Sequence, residues 1–555
     1  MIRKTKLNFE REKMNRLTEN MNWDDVWKYL KGTKNNIREN ILKNDGNFID
    51  NDNERDDFLI NKYHPECNLS EKEELKEYEN NMQIEWDENE NELNLDELIE
   101  TVENMGKGKA TASDRIPNEA IIYIIQGAKK NILDLLRLCI KLGYFPRAWI
   151  KVEIVWVPKA SGGERPICLI PTLGRILDKI LNKRIQHYCE LKGFINNKQF
   201  GFREGIGTRE AIWNLVKNIK KNKVEGKHQL LCALDLKNAF NLAWPCTIDK
   251  ELKIAGIRGK LRKIVWSILN NREVNSGKIS KLISRGCPQG SSLGPTLWNI
   301  GMEGWFRNLN ELNSNLGNNI DFQAYADDQI IIIKGDSVKK IEKTWHDVWS
   351  TCKKWAWENK AKYNLEKTYA IFIEAKRKIR PPIIKMDNTI INLGKTIKYL
   401  GIKIDTKLLF IEHVKMIRKK VNSIIGIIGK RLRAGSNKKQ DLLKTIYENV
   451  VKGTILYGAE IWGEKANDSR VKKQLDAIQR PFLLGLCRAY RTAPTSALQV
   501  LAGIVPINIE ACIKNNTWKE TENIRDRERV RCKDRPKPGK RRGKIYLEIN
   551  NITHF

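Results

Sequence analysis

The chain lacks any closely spaced cysteine pair. Its 11 cysteines are scattered with no C-x-x-C spacing, and its six histidines are scattered too. That reads against a zinc framework and against a disulfide scaffold, and it points to a reducing compartment. Long apolar runs are also missing. No window approaches ~18 consecutive apolar residues, so no membrane-spanning helix and no membrane partner are expected. The opening stretch "MIRKTKLNFEREK" is charged and has no apolar core, so it does not read as a signal peptide. Acidic residues are outnumbered, with 68 Asp/Glu against 100 Lys/Arg and a net charge of +32. They concentrate in residues 51–100, which hold 18 Asp/Glu and 4 Lys/Arg, so the remaining body is more basic than the total suggests. Such a body expects a polyanion, nucleic acid first. Charge alone fits a ribosomal or membrane-surface protein equally well.

What is present supports several lobes. A chain of 555 residues with 41% hydrophobic content exceeds one compact domain and can bury real cores. Residues 1–45 read as a basic helical segment. Residues 46–102 are rich in Asn, Asp and Glu and read as an acidic, solvated linker ending in the helix "NLDELIETVENM". From about Gly106, Gly and Pro punctuate short apolar segments, as in a mixed α/β domain. "VEIVWVPKASGGERPICLIP" predicts a β-hairpin around a Ser-Gly-Gly turn, followed by the helix "TLGRILDKILNKRIQHYCEL". "LLCALDLKNAF" predicts a buried strand ending at Asp235. "RGCPQGSSLGPTLWNIGMEGWF" is a Gly/Pro loop leading into a helix, and "IKYLGIKID" is a short strand pair. Beyond residue 406 the pattern is helical and very basic. Residues 525–544 carry 11 Lys/Arg and 3 Asp/Glu.

The chemistry centres on "QAYADDQIIIIK". Asp327 and Asp328 are adjacent like charges at the mouth of an apolar β-branched strand, an arrangement that favours a neutralising cation. Neighbouring side chains in a strand point to opposite faces, so at a hairpin turn one carboxylate can enter a site while the other edges it. Asp235, at the end of another buried strand, is the best third carboxylate. Asp235 and Asp327 together suit two Mg²⁺ ions about 3.5–4 Å apart, the clamp used in phosphoryl transfer. Lys159 and Arg165 flank a hairpin turn and suit a triphosphate. The loop "GCPQGSSLGP" lets backbone N–H groups approach a nucleotide or template. Phe240 is placed to pack on a sugar and exclude a 2′-OH. Each feature alone also has a plain reading: a solvated turn, a strand cap, an ordinary hairpin, a simple connection, a core aromatic.

In combination and order, these segments resemble a reverse transcriptase. "LDLKNAF", "GCPQGSSLGP" and "YADD" carry the resemblance, with "VPKASGGERPICLIPTLGRILDKIL", "FGFREGIGTREAI", "NLEKT" and "KYLGIKID" around them. "GKGKATASDRIPNEAI", "LYGAEIWG" and "IQRPFLLGLCRAYRTAPTSALQVLAGIVPI" resemble the flanks found in non-LTR, LINE-type retrotransposon polymerases of the jockey-like and ribosomal-DNA-inserting kinds. The resemblance spans about residues 103–515. It implies an α+β right-hand polymerase, with fingers and palm over 103–405, an antiparallel palm sheet, a helical thumb and connection over 406–515, and a basic tail over 516–555.

It also implies roles. Asp235 and Asp327 would hold Mg²⁺ (two ions, with Mn²⁺ as a substitute), supported by Asp328 and the backbone carbonyl of Leu236. Lys159 and Arg165 would contact the triphosphate, and Phe240 would be the sugar gate. Gln289 and Gly290 would line the nucleotide and template pocket. Lys367 would sit near the departing pyrophosphate, and Leu400 and Gly401 would belong to a primer grip. The implied partners are an RNA template, a DNA primer or target DNA, and dNTPs. Nuclear work follows from the same resemblance, also as a cytoplasmic ribonucleoprotein, and the tail "RPKPGKRRGK" suits a localisation signal as well as a nucleic-acid-binding tail.

Some family features are absent. Asn241 stands where many relatives carry Asp, at a position that holds no metal. The 102 residues before the polymerase segment are too few for the endonuclease of full-length elements, so a separately encoded endonuclease is an expected partner. No zinc-knuckle spacing follows, since only Cys512 and Cys532 lie beyond Cys487. The competing expectation is a catalytically silent or domesticated nucleic-acid-binding remnant. The three intact carboxylates argue for turnover. A group II intron maturase and an RNA-directed RNA polymerase fit less well, the first because of the "LYGAEIWG" region and the second because of Phe240.

Overall fold

In the computed structural model, the described residues are 49, 51–82, 92–159, 162–257, 259–375, 379–432 and 439–533. The basic N-terminal segment and the basic tail beyond residue 533 lie outside them. The chain divides into two compact units, one within residues 34–401 and one within 402–555.

The first unit begins with a departure from expectation. The acidic stretch is not a solvated linker over residues 52–80. It forms α1 (Asp52–Tyr63) and α2 (Leu69–Asn80), each started by an Asn cap that accepts a backbone N–H of the first turn. Leu59, Ile60, Tyr63 and Leu75 are buried. The acids find partners on the basic body: Glu71 pairs with the buried Arg285 at 3.2 Å, and Glu74 accepts from the Trp244 indole at 3.1 Å. Tyr78 donates to Asp249 at 2.9 Å and stacks on Trp266. A run of acid reads as solvated from sequence because the groups it pairs with lie some 170–290 residues away.

A four-stranded sheet follows, in the order β2-β1-β4-β5, from β1 (Val152–Pro158), β2 (Glu164–Leu169), β4 (Arg272–Ser276) and β5 (Ile279–Ile283). The expected hairpin is β1 and β2, paired antiparallel from Glu153↔Leu169 to Pro158↔Glu164. The expected helix after it is α4 (Thr172–Leu191), which buries Ile176, Leu177, Ile180 and Leu181. The helix α3 (Asn118–Leu142) precedes this sheet in the chain.

The second sheet has five strands in the order β11-β8-β3-β7-β6. These are β3 (His228–Leu234), β6 (Ile320–Tyr325), β7 (Asp328–Gly335), β8 (Tyr369–Ile373) and β11 (Leu393–Gly394). Four are antiparallel, as expected for a palm, and the two-residue β11 joins β8 parallel. β3 lies at the centre, which is why its sequence is apolar without alternation. β9 (Ile384–Met386) and β10 (Thr389–Ile391) form a separate two-stranded ribbon.

Helices cover this sheet. α5 (Thr208–Val224) packs on β3 and β6, and α8 (Val338–Glu358) packs on β3 and β7. α8 presents Trp345, Trp349, Cys352 and Trp355 at helical spacing, all buried. Between them in sequence run α6 (Leu293–Gly301) and α7 (Glu303–Asn315). Trp305, Phe306 and Phe322 make an aromatic knot in the common core.

The second unit is helical, as its sequence pattern predicts. It includes α9 (Ile411–Leu432), α10 (Ser469–Cys487) and α11 (Ile507–Lys533). Phe482, Leu475, Ile478 and Trp462 are buried in it. The Gln479 carboxamide, fully buried, donates to the Tyr447 hydroxyl (2.8 Å) and the Val505 carbonyl (2.9 Å) and accepts from Gln499 (2.8 Å). The two strands expected from "IKYLGIKID" form at Thr396–Tyr399, which ends the first unit, and at Ile402–Asp405, which begins the second.

Candidate active site

The carboxylates meet where β3 ends and β7 begins. Pairing between these strands runs from His228↔Gly335 to Leu234↔Gln329, so Asp235 leaves β3 beside Asp328, the first residue of β7. Tyr325 pairs with Asp328 across β6 and β7. Ala326 and Asp327 are therefore the two-residue loop of that hairpin. Ala326 is left-handed, with φ +57°.

The electrostatics are those of a crowded anionic site. Burial pushes the Asp327 carboxyl above its usual range and Asp235 adds repulsion, against the pull of Arg165 and Lys159. Burial raises Asp328 to about 6, with repulsion from Asp327 and Asp235 added. Asp328 is the most exposed of the three, so water offsets part of that penalty. Lys159 is depressed by burial and by its neighbours Arg165 and Lys367, while Asp235 and Asp327 pull it the other way. Six of the expected residues thus share one electrostatic neighbourhood: Asp235, Asp327, Asp328, Lys159, Arg165 and Lys367.

The cations are held on the β1–β2 hairpin. The Lys159 N–H donates to the Gly163 carbonyl at 2.8 Å, closing a loop in which Gly162 and Gly163 are left-handed. Beneath it, the Tyr63 hydroxyl accepts the Glu164 N–H at 3.0 Å, and the Lys159 ammonium lies 5.4 Å over the Tyr63 ring. Glu164 is also paired with Arg55.

The remaining expected residues are placed as follows. Phe240 stacks on Trp298 at 5.3 Å between ring centres and meets Phe202 edge-on at 6.0 Å. The Gln289 amide donates to Asn241 at 2.8 Å, and its carbonyl accepts the Cys168 N–H at 2.6 Å, so this loop is bolted to β2. Gly290 has φ +118°, and a Cβ there would lie 2.4 Å from the Cys168 carbonyl oxygen. Close packing against β2 therefore demands glycine at 290. Hydrogen bonds flanking Leu236 engage the Asp235 carbonyl (from Asn364, 2.7 Å) and the Lys362 carbonyl (from Lys237, 2.8 Å), not the carbonyl of Leu236. Lys367 ends the short turn Leu365–Lys367. Leu400 and Gly401 are consecutive left-handed residues, and Tyr399 beside them lies in the field of Asp328.

Residues 157–404 match the family model described as reverse transcriptase (RNA-dependent DNA polymerase). Over those residues the chain is similar to a reverse transcriptase domain. It is 26% identical over 431 residues to the "Putative 115 kDa protein in type-1 retrotransposable element R1DM" of Drosophila melanogaster, covering 76% of this chain and 41% of that one. It is 26% identical over 506 residues to the "Retrovirus-related Pol polyprotein from type-1 retrotransposable element R1" of Bradysia coprophila, covering 88% and 48%. The "RNA-directed DNA polymerase from mobile element jockey" of Drosophila melanogaster is 26% identical over 390 residues, covering 67% and 41%. The likeness is thus to non-LTR retrotransposon polymerases of the R1 and jockey kinds, and the chain spans less than half the length of these relatives. A solved apo telomerase of Candida tropicalis aligns with a TM-score of 0.36 at 13% identity, over 54% of this chain and 62% of that one.

Among the described residues, no three His, Cys, Asp or Glu side chains gather into a ready-made metal cage. The donor set at the carboxylate turn still fits magnesium. Mg²⁺ is normally held through one or two carboxylates with substrate phosphates and water completing its shell, and mutual repulsion leaves these carboxylates in want of positive charge.

Three supporting residues escaped the sequence reading. Gln199 contacts the Ala326 turn, Asp178 holds the end of the loop before α6, and Tyr63 underlies the β1–β2 hairpin. Gln199 lies one residue before the quoted "FGFREG" segment, but a lone Gln carries no signal for a partner 127 residues away.

Proposed function

We propose that this chain is an RNA-directed DNA polymerase that adds dNTPs to a primer 3′-OH on an RNA template, within a non-LTR retrotransposon. The observation that supports this reading is that Asp235, Asp327 and Asp328 lie within electrostatic reach of one another and of the Lys159–Arg165 hairpin. Asp235 and Asp327, with Asp328 and the Leu236 carbonyl in support, are the residues to hold Mg²⁺ or Mn²⁺. The bound metal supplies charge stabilisation for the attacking and leaving oxygens of nucleotidyl transfer.

The chain's own groups do the rest. Lys159 and Arg165 grip the triphosphate, the guanidinium as a fork and the ammonium as a point charge. Phe240, fixed between Trp298 and Phe202, presents a rigid ring against the sugar. In this reading Lys367 donates a proton to the departing pyrophosphate. Gln289 and Gly290 keep the template-side loop in register with β2, and Leu400 and Gly401 turn the chain at the primer side. Residues 103–405 serve as fingers and palm and 406–515 as thumb and connection. Work in the nucleus belongs to the same reading.

Primer extension on oligo-rA with an oligo-dT primer, dTTP and Mg²⁺ tests it. Wild type should extend, and Asp327→Asn/Asp328→Asn should not. Template binding without extension by wild type would instead support the silent-remnant reading.

A further inference from the structure

The carboxylate turn rests on a strained residue. Ala326 is left-handed, a conformation that costs a non-glycine residue about 1–2 kcal/mol. A two-residue hairpin loop with positive φ normally takes Gly, Asn or Asp. Something must therefore hold Ala326, and the structure contains a device of the right shape.

Gln199 is fully buried. Its Oε1 accepts the Ala326 N–H at 2.9 Å, and its Nε2 donates to the Ala326 carbonyl at 3.3 Å. One carboxamide thus satisfies both backbone polar groups of the strained residue. The same Oε1 also accepts the Gly201 N–H at 3.0 Å. Main-chain bonds bracket the contact: Ala324 N–H to the Lys198 carbonyl (3.0 Å) and Phe200 N–H to the Ala324 carbonyl (2.9 Å). Gly201 lies so near that a Cβ would be 2.4 Å from the Ala326 nitrogen.

The segment that carries Gln199 is itself fixed at three points. Glu303 accepts the Asn196 N–H at 2.9 Å, and Asn299 donates to the Gly201 carbonyl at 2.8 Å. Arg203, paired with Glu190 at 2.7 Å, donates to the carbonyls of Asn196 and Gln199. A rigid support therefore meets the turn from outside the sheet.

We propose that Gln199 is a positioning residue for the catalytic turn: its carboxamide locks Ala326 left-handed and so aims the Asp327–Asp328 pair. The locking is a statement about the turn itself, and its catalytic consequence rests on the polymerase reading above. Losing the lock leaves Ala326 free to relax to a right-handed conformation, which redirects both carboxylates. A glycine at 326 reaches the left-handed conformation unaided.

The test uses Gln199→Leu, with Gln199→Asn as a second variant that keeps a polar group but falls short of the turn. Each is made alone and with Ala326→Gly. Amide hydrogen exchange should rise in the peptide spanning residues 323–329 while β3 and the far end of β7 stay protected. In primer extension, kcat should fall at least about tenfold, with KM for dTTP changed less than about threefold. Ala326→Gly should restore most of both. A merely structural Gln199 predicts exchange rising across the whole sheet, with kcat following the folded fraction and no rescue by Ala326→Gly. That result overturns the proposal, as does unchanged exchange at 323–329 or unchanged kcat in a folded variant. If wild type itself fails to extend, the polymerase reading falls, and the exchange data still decide whether Gln199 holds the turn.

Discussion

Asp178 shows how a single buried carboxyl serves the site from behind. It lies on α4 with 1% exposure and accepts hydrogen bonds from the Ser291 hydroxyl and from the Ser292 N–H at 2.7 Å. Ser291 in turn accepts the N–H groups of Leu293 and Gly294, so Asp178 fixes the first turn of α6 and the loop carrying Gln289 and Gly290. Burial raises its carboxyl from 3.8 to about 6, against the pull of those hydrogen bonds. The native state therefore holds the proton more tightly than the unfolded chain. This group's contribution to stability is full below about 3.8 and is lost as pH rises through about 6. The swing is at most about 3 kcal/mol. Asp178→Asn keeps one acceptor and cannot ionise. The melting temperature of wild type should thus fall relative to Asp178→Asn between pH 4.5 and pH 7. A gap that does not change with pH would mean that Asp178 is ionised throughout.

At the scale of elements, α1 is a brace for the β1–β2 hairpin. Tyr63 does three things there: it accepts the Glu164 N–H, carries the Lys159 ammonium over its ring, and packs on Trp156 at 5.8 Å. Trp156 is anchored to Ser276 on β4 at 2.9 Å. If this hairpin grips the triphosphate, loosening it weakens nucleotide binding before it slows chemistry. Tyr63→Ala should raise KM for dTTP about five- to tenfold with little change in kcat, and Tyr63→Phe, which lacks only the hydroxyl, should raise it less, by up to about fivefold. Steady-state kinetics with dTTP varied would show it, and a loss confined to kcat would count against the grip. The hairpin, α4, β3 and the carboxylate turn were all legible in sequence. Their signals are local: a Ser-Gly-Gly turn, a 3.6-residue apolar period, and an isoleucine run behind two Asp residues. The brace, the Gln199 cradle and the Asp178 anchor were not. Each joins residues about 100 or more positions apart, and each side chain involved is ordinary where it stands. The acidic stretch was misread for the same reason, because Arg285 and Trp244 cannot be assigned to it from sequence.

At the scale of the whole molecule, charge decides how the substrate is held. The net charge is +32, and part of the acid in residues 51–100 is already committed to internal cations. Glu71 pairs with Arg285, Glu74 with Lys360, Glu66 with Lys281 and Glu97 with Arg184. Those carboxylates offer little screening to an incoming polyanion. Binding of an RNA template with its DNA primer should then be dominated by phosphate contacts that release counterions. With about six or more such contacts, affinity should fall roughly a thousandfold between 50 and 200 mM KCl. Anisotropy of a labelled hybrid, titrated across that range, measures the slope directly. Asp327→Asn/Asp328→Asn should show the same slope or a slightly steeper one, because it removes negative charge from the carboxylate turn without removing a phosphate contact. A nearly flat salt dependence would sink the polyanion reading. A steep slope shared with heparin would show that charge alone binds, so that selection for a primed template must come from the site between β3, β7 and the β1–β2 hairpin.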